Sequence, residues 1–162
     1  MKNMNLTLAS IQLTAADLSA FAARRASAQE LYSPTAPRPP IAELGWRDRW
    51  WLNHTAAQQV ALHYWFFDSP AAARTAADEG RARLSTRAVP ISASRSGERS
   101  YYQPAPNAEH GLGDRVWQGG ANFLFVRHTV VVLVAQVGGE VPVETTRCIA
   151  RKIFEKIEQA VS

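Results

Sequence analysis

The chain has 162 residues, of which 46% are hydrophobic and 20% are charged. This length and composition are typical of one folded domain, and they exclude an intrinsically disordered or fibrous chain. The formal net charge is +4, and almost all of the basic residues are arginines, because lysine occurs only at Lys2, Lys152 and Lys156. The single cysteine, Cys148, excludes an intramolecular disulfide.

The N-terminal forty residues contain a helix signal followed by a proline-rich segment. Thr14 and Asp17 are spaced as in a capping box, and apolar residues follow at helical spacing. This pattern predicts a short helix over about residues 15–29 that lies across the domain as a cover. Residues 33–40 contain four prolines, which favour an extended strap, so residues 15–40 are expected to form a helix and a strap.

No targeting or membrane-spanning segment is expected. The start of the chain lacks an unbroken apolar stretch of signal-peptide length, and no run approaches the roughly 18 apolar residues of a membrane span. We therefore expect either a cytoplasmic protein or an extracytoplasmic one whose signal peptide was removed.

Residues 44–84 hold most of the aromatic side chains and predict a first β-β-α unit. Two strands are expected at about residues 46–53 and 59–67, joined by a turn at 54–57. The second strand is apolar on both faces, which favours a central position in a sheet. Alternation along the first strand separates Trp46, Asp48, Trp50 and Leu52 on one face from Arg47, Arg49 and Trp51 on the other.

A helix is expected after these two strands. Asp68, Ser69 and Pro70 supply a cap and a first-turn proline for an alanine-rich helix over residues 70–84. Beyond it, residues 89–103 predict an outer, partly solvated hairpin, and residues 104–113 predict a loop.

Residues 115–160 predict a second β-β-α unit. The strands expected at 121–127 and 130–137 are apolar on both faces, so both should be central and covered on each side. A helix beginning near Pro142 places Cys148 opposite its apolar stripe, where the thiol should be accessible. That stripe comprises Thr146, Ile149, Ala150, Ile153, Ile157 and Val161.

The two units predict an α+β fold in a single domain. We expect an antiparallel sheet with helices packed on one face and two β-β-α-like halves. Asp68-Ser69-Pro70 stands in the first half where Glu140-Val141-Pro142 stands in the second, which makes an internal duplication one interpretation of the shared order.

A family resemblance arises in the second half. Gly111-Leu112-Gly113-Asp114 and Trp117 are followed by Asn122–Arg127, Val130–Val137 and the closing amphipathic helix. Residues 111–158 thus resemble the C-terminal half of small bacterial extracytoplasmic sensor-type or lipoprotein domains, in which a Gly-Asp turn precedes a hairpin with a basic residue near its tip. The resemblance implies a binding or accessory module on a mixed α/β fold and carries no catalytic residues onto this chain.

Patterns typical of catalysis or cofactor binding are missing from the sequence. His54, His63, His110 and His128 show no metal-ligand spacing, and neither a phosphate loop nor a nucleophile elbow occurs. We therefore predict no catalytic residue, no metal and no cofactor. His63 is expected to be a hydrogen-bonded core histidine, and His128 is expected to be solvated at a hairpin tip.

The interleaving of tryptophan and arginine is the strongest functional pattern in the chain. Arginine beside indole makes cation-π contacts inside a protein, and it also makes a platform for sugars, bases or lipid headgroups. The candidate ligand- or partner-binding residues are Trp46, Arg47, Arg49, Trp50, Trp51, His63 and Trp65.

Three functional hypotheses remain open. The first is a non-enzymatic binding or assembly module, either an extracytoplasmic ligand-binding domain or an accessory subunit, with a protein partner or a second copy as the main expected partner and a small ligand as a further one. The second is a small enzyme with a cleft lined by Asp48, Trp50, His63 and Tyr64. The third, which we disfavour, is a nucleic-acid binder that uses the arginines and tryptophans of residues 46–51.

Overall fold

The computed structural model describes residues 6–31, 44–79, 103–104, 112, 115–138 and 141–162. The helices of these residues are α1 (Leu8–Ile11), a 3₁₀ helix (Ser19–Phe21), α2 (70–79) and α3 (Val143–Val161). The strands are β1 (Arg24–Leu31), β2 (Leu44–Leu52), β3 (Thr55–Phe66), β4 (Gln103–Pro104), β5 (Arg115–Gly119), β6 (Asn122–Arg127) and β7 (Val130–Gly138).

The strands form one antiparallel sheet in the order β1-β2-β3-β7-β6-β5-β4. The hairpins β2–β3 and β6–β7 meet through the central pair β3–β7, in which Leu62 lies opposite Val134. A helix follows each of these two hairpins. The expected α+β class with a single antiparallel sheet is therefore confirmed.

One face of the sheet packs against α3 and against residues 6–23, which we call the N-terminal segment. Along β3 and β7 the even-numbered apolar residues point to this face and are fully or almost fully buried. Helix α3 contributes Thr146, Ile149, Ala150, Ile153 and Ile157, which matches the predicted stripe apart from Val161. Cys148 is exposed, as its position opposite the stripe predicted.

Helix α2 packs on the other face. Ala73 and Ala77 form a second core with Leu124, Val131 and Leu133, all of which are nearly inaccessible. The helices therefore lie on both faces of the sheet, whereas we expected them on one. Strands β6 and β7 are apolar on both faces, and only a layer on each side keeps such strands out of water.

The start of α2 follows the predicted cap. The Ser69 hydroxyl accepts a hydrogen bond from the Ala72 amide at 3.1 Å, and Pro70 is the first helical residue. The helix is described to residue 79, so its expected continuation to residue 84 lies outside the described residues.

The prediction of a helix over residues 15–29 is wrong. Thr14 and Asp17 do exchange capping hydrogen bonds, but these close only a short turn. The 3₁₀ helix that follows ends at Ala22, whose φ of 47° is left-handed, and the chain then enters β1. Pairing with β2 decides the structure of this segment, because its own apolar periodicity is weak.

The other differences concern bounds and unpredicted strands. The turn between β2 and β3 lies at Asn53 and His54, which have φ values of 54° and 59°, as a two-residue hairpin turn requires. Strand β5 was not predicted. The proline-rich residues 33–40 and almost all of the hairpin over residues 89–103 lie outside the described residues, except for the short strand β4, which pairs with β5.

Candidate functional site

The alternation of β2 divides the candidate residues between the two faces of the sheet. Trp46 and Trp50 face α3 and the N-terminal segment, and Trp50 is almost completely buried. The remaining candidates point to the opposite face, where β1 adds one further arginine. We call this surface the arginine face, and it comprises Arg24, Arg47, Arg49, Trp51, His63 and Trp65.

Strand register sets the geometry of the arginine face. Across β1, β2 and β3, one row contains Gln29, Arg47 and His63, and the next row contains Ser27, Arg49 and Ala61. Arg49 therefore has short side chains as its cross-strand neighbours on this face.

Several contacts order the long side chains of this surface. The Arg24 guanidinium carbon lies 4.3 Å from the ring centroid of Trp51, and Arg47 donates a hydrogen bond from Nη2 to Gln29 at 2.9 Å. His63 stacks on Trp65 with ring centroids 5.3 Å apart. The cation-π contacts expected around the tryptophans are therefore present, but arginines of β1 make them rather than Arg47 or Arg49.

Hydrogen-bonding capacity remains unused on the arginine face. Within the described parts of the chain, the Nε atoms of Arg47 and Arg49 are buried without a hydrogen-bond partner. The Nδ1 atom of His63 is buried and also lacks a partner, so the expectation of a hydrogen-bonded core histidine is not met. A buried polar atom without a partner costs stability, because it has lost its hydrogen bonds to water.

The charged residues that β1, β2 and β3 place on the arginine face are all positive. The acidic residues of β1, β2 and β3 are Glu30 and Asp48, and the register places both on the opposite face. Burial and the positive charges of Arg47 and Arg49 lower the pKa of His63 to about 4. His63 is therefore neutral at neutral pH, and the arginines carry the charge.

The opposite face holds a buried polar cluster around Asp48, which has no exposed surface. Its two carboxylate oxygens accept hydrogen bonds from Gln12 and from the Trp46 indole, each at 2.8 Å, and Arg25 lies 4.0 Å away. Burial and the charge of Asp48 raise the pKa of the adjacent Tyr64 hydroxyl well above its usual value, so the hydroxyl stays protonated.

The contacts of the Asp48 cluster indicate a structural role. Arg25 lies over the Trp50 ring at 4.8 Å and donates to the Leu13 carbonyl at 3.3 Å. Gln12 and Leu13 belong to the N-terminal segment, residues 6–23. Asp48 and Arg25 therefore fasten this segment to the sheet.

The four residues of the hypothesised enzyme cleft, Asp48, Trp50, His63 and Tyr64, do not share one face of the sheet. His63 and Asp48 lie on adjacent strands but point to opposite faces, because Asp48 pairs with Leu62 and His63 pairs with Arg47.

Across the described ranges, no group of three potential metal ligands occurs. No helix among those residues is both long and apolar enough to cross a membrane.

Sequence reasoning missed the contribution of β1 to this surface. Arg24, Ser27 and Gln29 fall in the segment that was predicted to be helical. Apart from Ala26, Ala28 and Leu31 the strand is polar, and it lacks a sustained period of two, so only its pairing with β2 reveals it.

Comparison with known proteins identifies no relative: no protein-family model, curated protein or solved structure matches the chain. The resemblance of residues 111–158 to extracytoplasmic sensor-type or lipoprotein domains therefore remains a prediction. Inferences about function depend on the geometry of the chain itself.

Proposed function

We propose that this protein is a non-enzymatic binding module that docks an acidic segment of a partner protein on the arginine face. One observation carries the proposal. Arg24, Arg47 and Arg49 lie on one face of β1 and β2, and none of the strands β1 to β3 places a carboxylate on that face.

The state of these arginines favours an anionic partner. A guanidinium presents several donors in a planar fork that matches a carboxylate, and the match is stronger where water is partly excluded. Arg47 and Arg49 are half-buried, and each has a buried Nε atom without a hydrogen-bond partner among the described residues. No carboxylate of β1 to β3 lies on the face of these guanidinium groups, so a carboxylate of the partner would supply the missing opposite charge.

The composition of the surface favours a protein segment over nucleic acid. Three arginines provide fewer phosphate contacts than the roughly 6–10 typical of tight protein–DNA complexes. Trp51 and Trp65 are half-buried and flank the charges with apolar area. Arginine and tryptophan together are also the residues most enriched at the energetic centres of protein–protein interfaces.

A titration with an acidic peptide tests the proposal. The probe is a fluorescently labelled short peptide that alternates glutamate and threonine, and anisotropy is measured at physiological ionic strength. Arg49→Gln should raise the Kd about tenfold, because it removes one charge-assisted contact, while Arg49→Lys should have an intermediate effect.

Arg151→Gln is the matched control, because Arg151 is exposed on α3, on the other side of the sheet. It should leave the Kd within about twofold of the unsubstituted protein. Absence of peptide binding would contradict the proposal. Equal weakening by both substitutions would also contradict it, since binding would then reflect only general charge attraction. A single-stranded oligonucleotide that binds more tightly than the peptide and depends on Arg49 would favour nucleic acid instead.

A further inference from the structure

Among the residues that the structure describes, strand β1 lies at one edge of the sheet. It pairs on one side with β2, and residues 24–30 are all exposed. In an edge strand, alternate backbone amides and carbonyls point away from the sheet and are available to another chain. Backbone hydrogen bonds to such an edge provide affinity for extended peptides, and alternate side chains provide specificity.

The arginine face extends to this edge. Arg24 belongs to β1 itself, and the Arg47 guanidinium donates a hydrogen bond to the side chain of Gln29 on β1. A strand added to β1 would lie about 4.8 Å beyond it, and every second side chain would point to the arginine face. These side chains would lie within reach of both guanidinium groups.

We infer that the acidic segment binds by strand addition to β1, with acidic residues at alternate positions directed to the arginine face. This inference depends on the proposed function and specifies the partner as an extended segment rather than a folded acidic surface. Pairing of β1 with β2 is regular from Ser27 to Leu31, so this stretch offers an unbroken edge to the added strand.

Charge favours an acidic partner over a second copy of this chain. Pairing two β1 strands would place the Arg24, Arg47 and Arg49 side chains of both copies along one continuous face, where like charges repel. The irregular register between Arg25 and Ser27 also disfavours edge-to-edge pairing of identical strands. An acidic strand would instead neutralise the face.

Backbone methylation of the probe peptide tests the binding mode. In an added strand, the amides of one alternate set point to β1 and those of the other set point to solvent. Two variants of the glutamate–threonine peptide, N-methylated at the glutamates or at the threonines, keep every side chain. One variant should bind at least about tenfold more weakly, and the other should bind within about threefold of the parent peptide.

Hydrogen exchange of the full-length protein provides a second measurement. Addition of the parent peptide should slow exchange at alternate amides of residues 27–31, while amides of α3 should be unaffected. Equal binding of both methylated peptides, or unchanged exchange along β1, would overturn strand addition.

The outcomes separate this inference from the proposed function. If binding depends on Arg49 but neither methylation nor β1 exchange responds, the proposed function stands and strand addition is wrong. If the parent peptide does not bind at all, both are wrong. Sedimentation of the protein alone should show a monomer, and a dimer with protected β1 amides would instead identify a second copy as the occupant.

Discussion

Asp48 is a carboxylate with no exposed surface, and its two hydrogen-bond donors come from different parts of the chain. Gln12 donates from the N-terminal segment and Trp46 from the same strand. A buried ionised group is tolerated only when such partners replace the water that it loses. Asp48 therefore couples the stability of the sheet to the position of the N-terminal segment.

Asp48→Ala should destabilise the protein by about 2–4 kcal/mol, because it leaves the donors of Gln12 and Trp46 buried without an acceptor. Urea unfolding followed by circular dichroism measures the loss. Asp78→Ala is the matched control, since Asp78 forms an exposed ion pair with Arg115 and its removal should cost less than about 1 kcal/mol. Equal losses in the two variants would contradict the structural role of Asp48.

His63 should make the stability of the protein depend on pH. Its pKa is lowered from 6.5 to about 4 in the folded protein by burial and by Arg47 and Arg49. Between these values the unfolded chain binds a proton that the folded chain does not, so the free energy of unfolding falls as the pH decreases. The stability is fully present above about pH 6.5, and the loss approaches about 3 kcal/mol by pH 4.

His63→Gln isolates this contribution, because the other titrating groups stay in place. Urea unfolding at a series of pH values should show a shallower decrease for the variant between pH 6.5 and 4. A titration of the histidine resonances by NMR assigns the pKa directly. Identical pH dependence in both proteins would show that His63 is more accessible to water than the fold indicates.

Strand β7 is the element on which both layers of the molecule depend. Val132 points to the layer that contains α3 and Leu133 points to the layer that contains α2, and their exposures are 0% and 4%. A carboxylate on either face would be buried without a partner.

Val132→Asp and Leu133→Asp should therefore each cost several kcal/mol, enough to unfold a typical domain. Val137→Asp is a control on the same strand, since Val137 is 42% exposed, and it should change stability by about 0.5 kcal/mol or less. Thermal unfolding distinguishes the three variants. An unchanged Tm for either buried substitution would show that the corresponding face is open to water.

The helices and strands that could be predicted from the sequence are those with a regular apolar pattern. Strand β7 and helix α3 have long, regular patterns, and the alternation of β2 correctly separated Trp50 from Trp51. Strand β1 carries no such pattern, because an exposed edge strand buries too little apolar surface to require one. The arginine face was therefore predicted only in part, without Arg24 and without the edge beside it.

At the scale of the whole molecule, the two β-β-α units are not related by a simple rotation. A twofold axis perpendicular to the sheet between β3 and β7 would superpose one hairpin on the other and leave both helices on the same face. Helices α2 and α3 lie on opposite faces instead. The shared order of elements thus does not support an internal duplication.

The N-terminal segment and α3 together cover one face of the sheet, and Lys156 on α3 contacts the segment. Its ammonium group lies 2.8 Å from Asp17 and donates to the Gln12 carbonyl at 3.1 Å. Lys156→Gln should cost about 1 kcal/mol and increase hydrogen exchange in residues 8–23, whereas Lys152→Gln on the same helix should have little effect. Unchanged exchange in the segment would show that its apolar contacts alone hold it.

The contact between Lys156 and Gln12 also joins two segments that are synthesised at very different times. The two residues are 144 positions apart, so the N-terminal segment is synthesised well before the helix on which it packs. Until α3 has been translated, the apolar side chains of Ile11, Leu13 and Leu18 lack the helix that covers them in the finished fold. A nascent chain that contains the N-terminal segment but not yet α3 exposes this hydrophobic surface, and exposed hydrophobic surface is what chaperones bind.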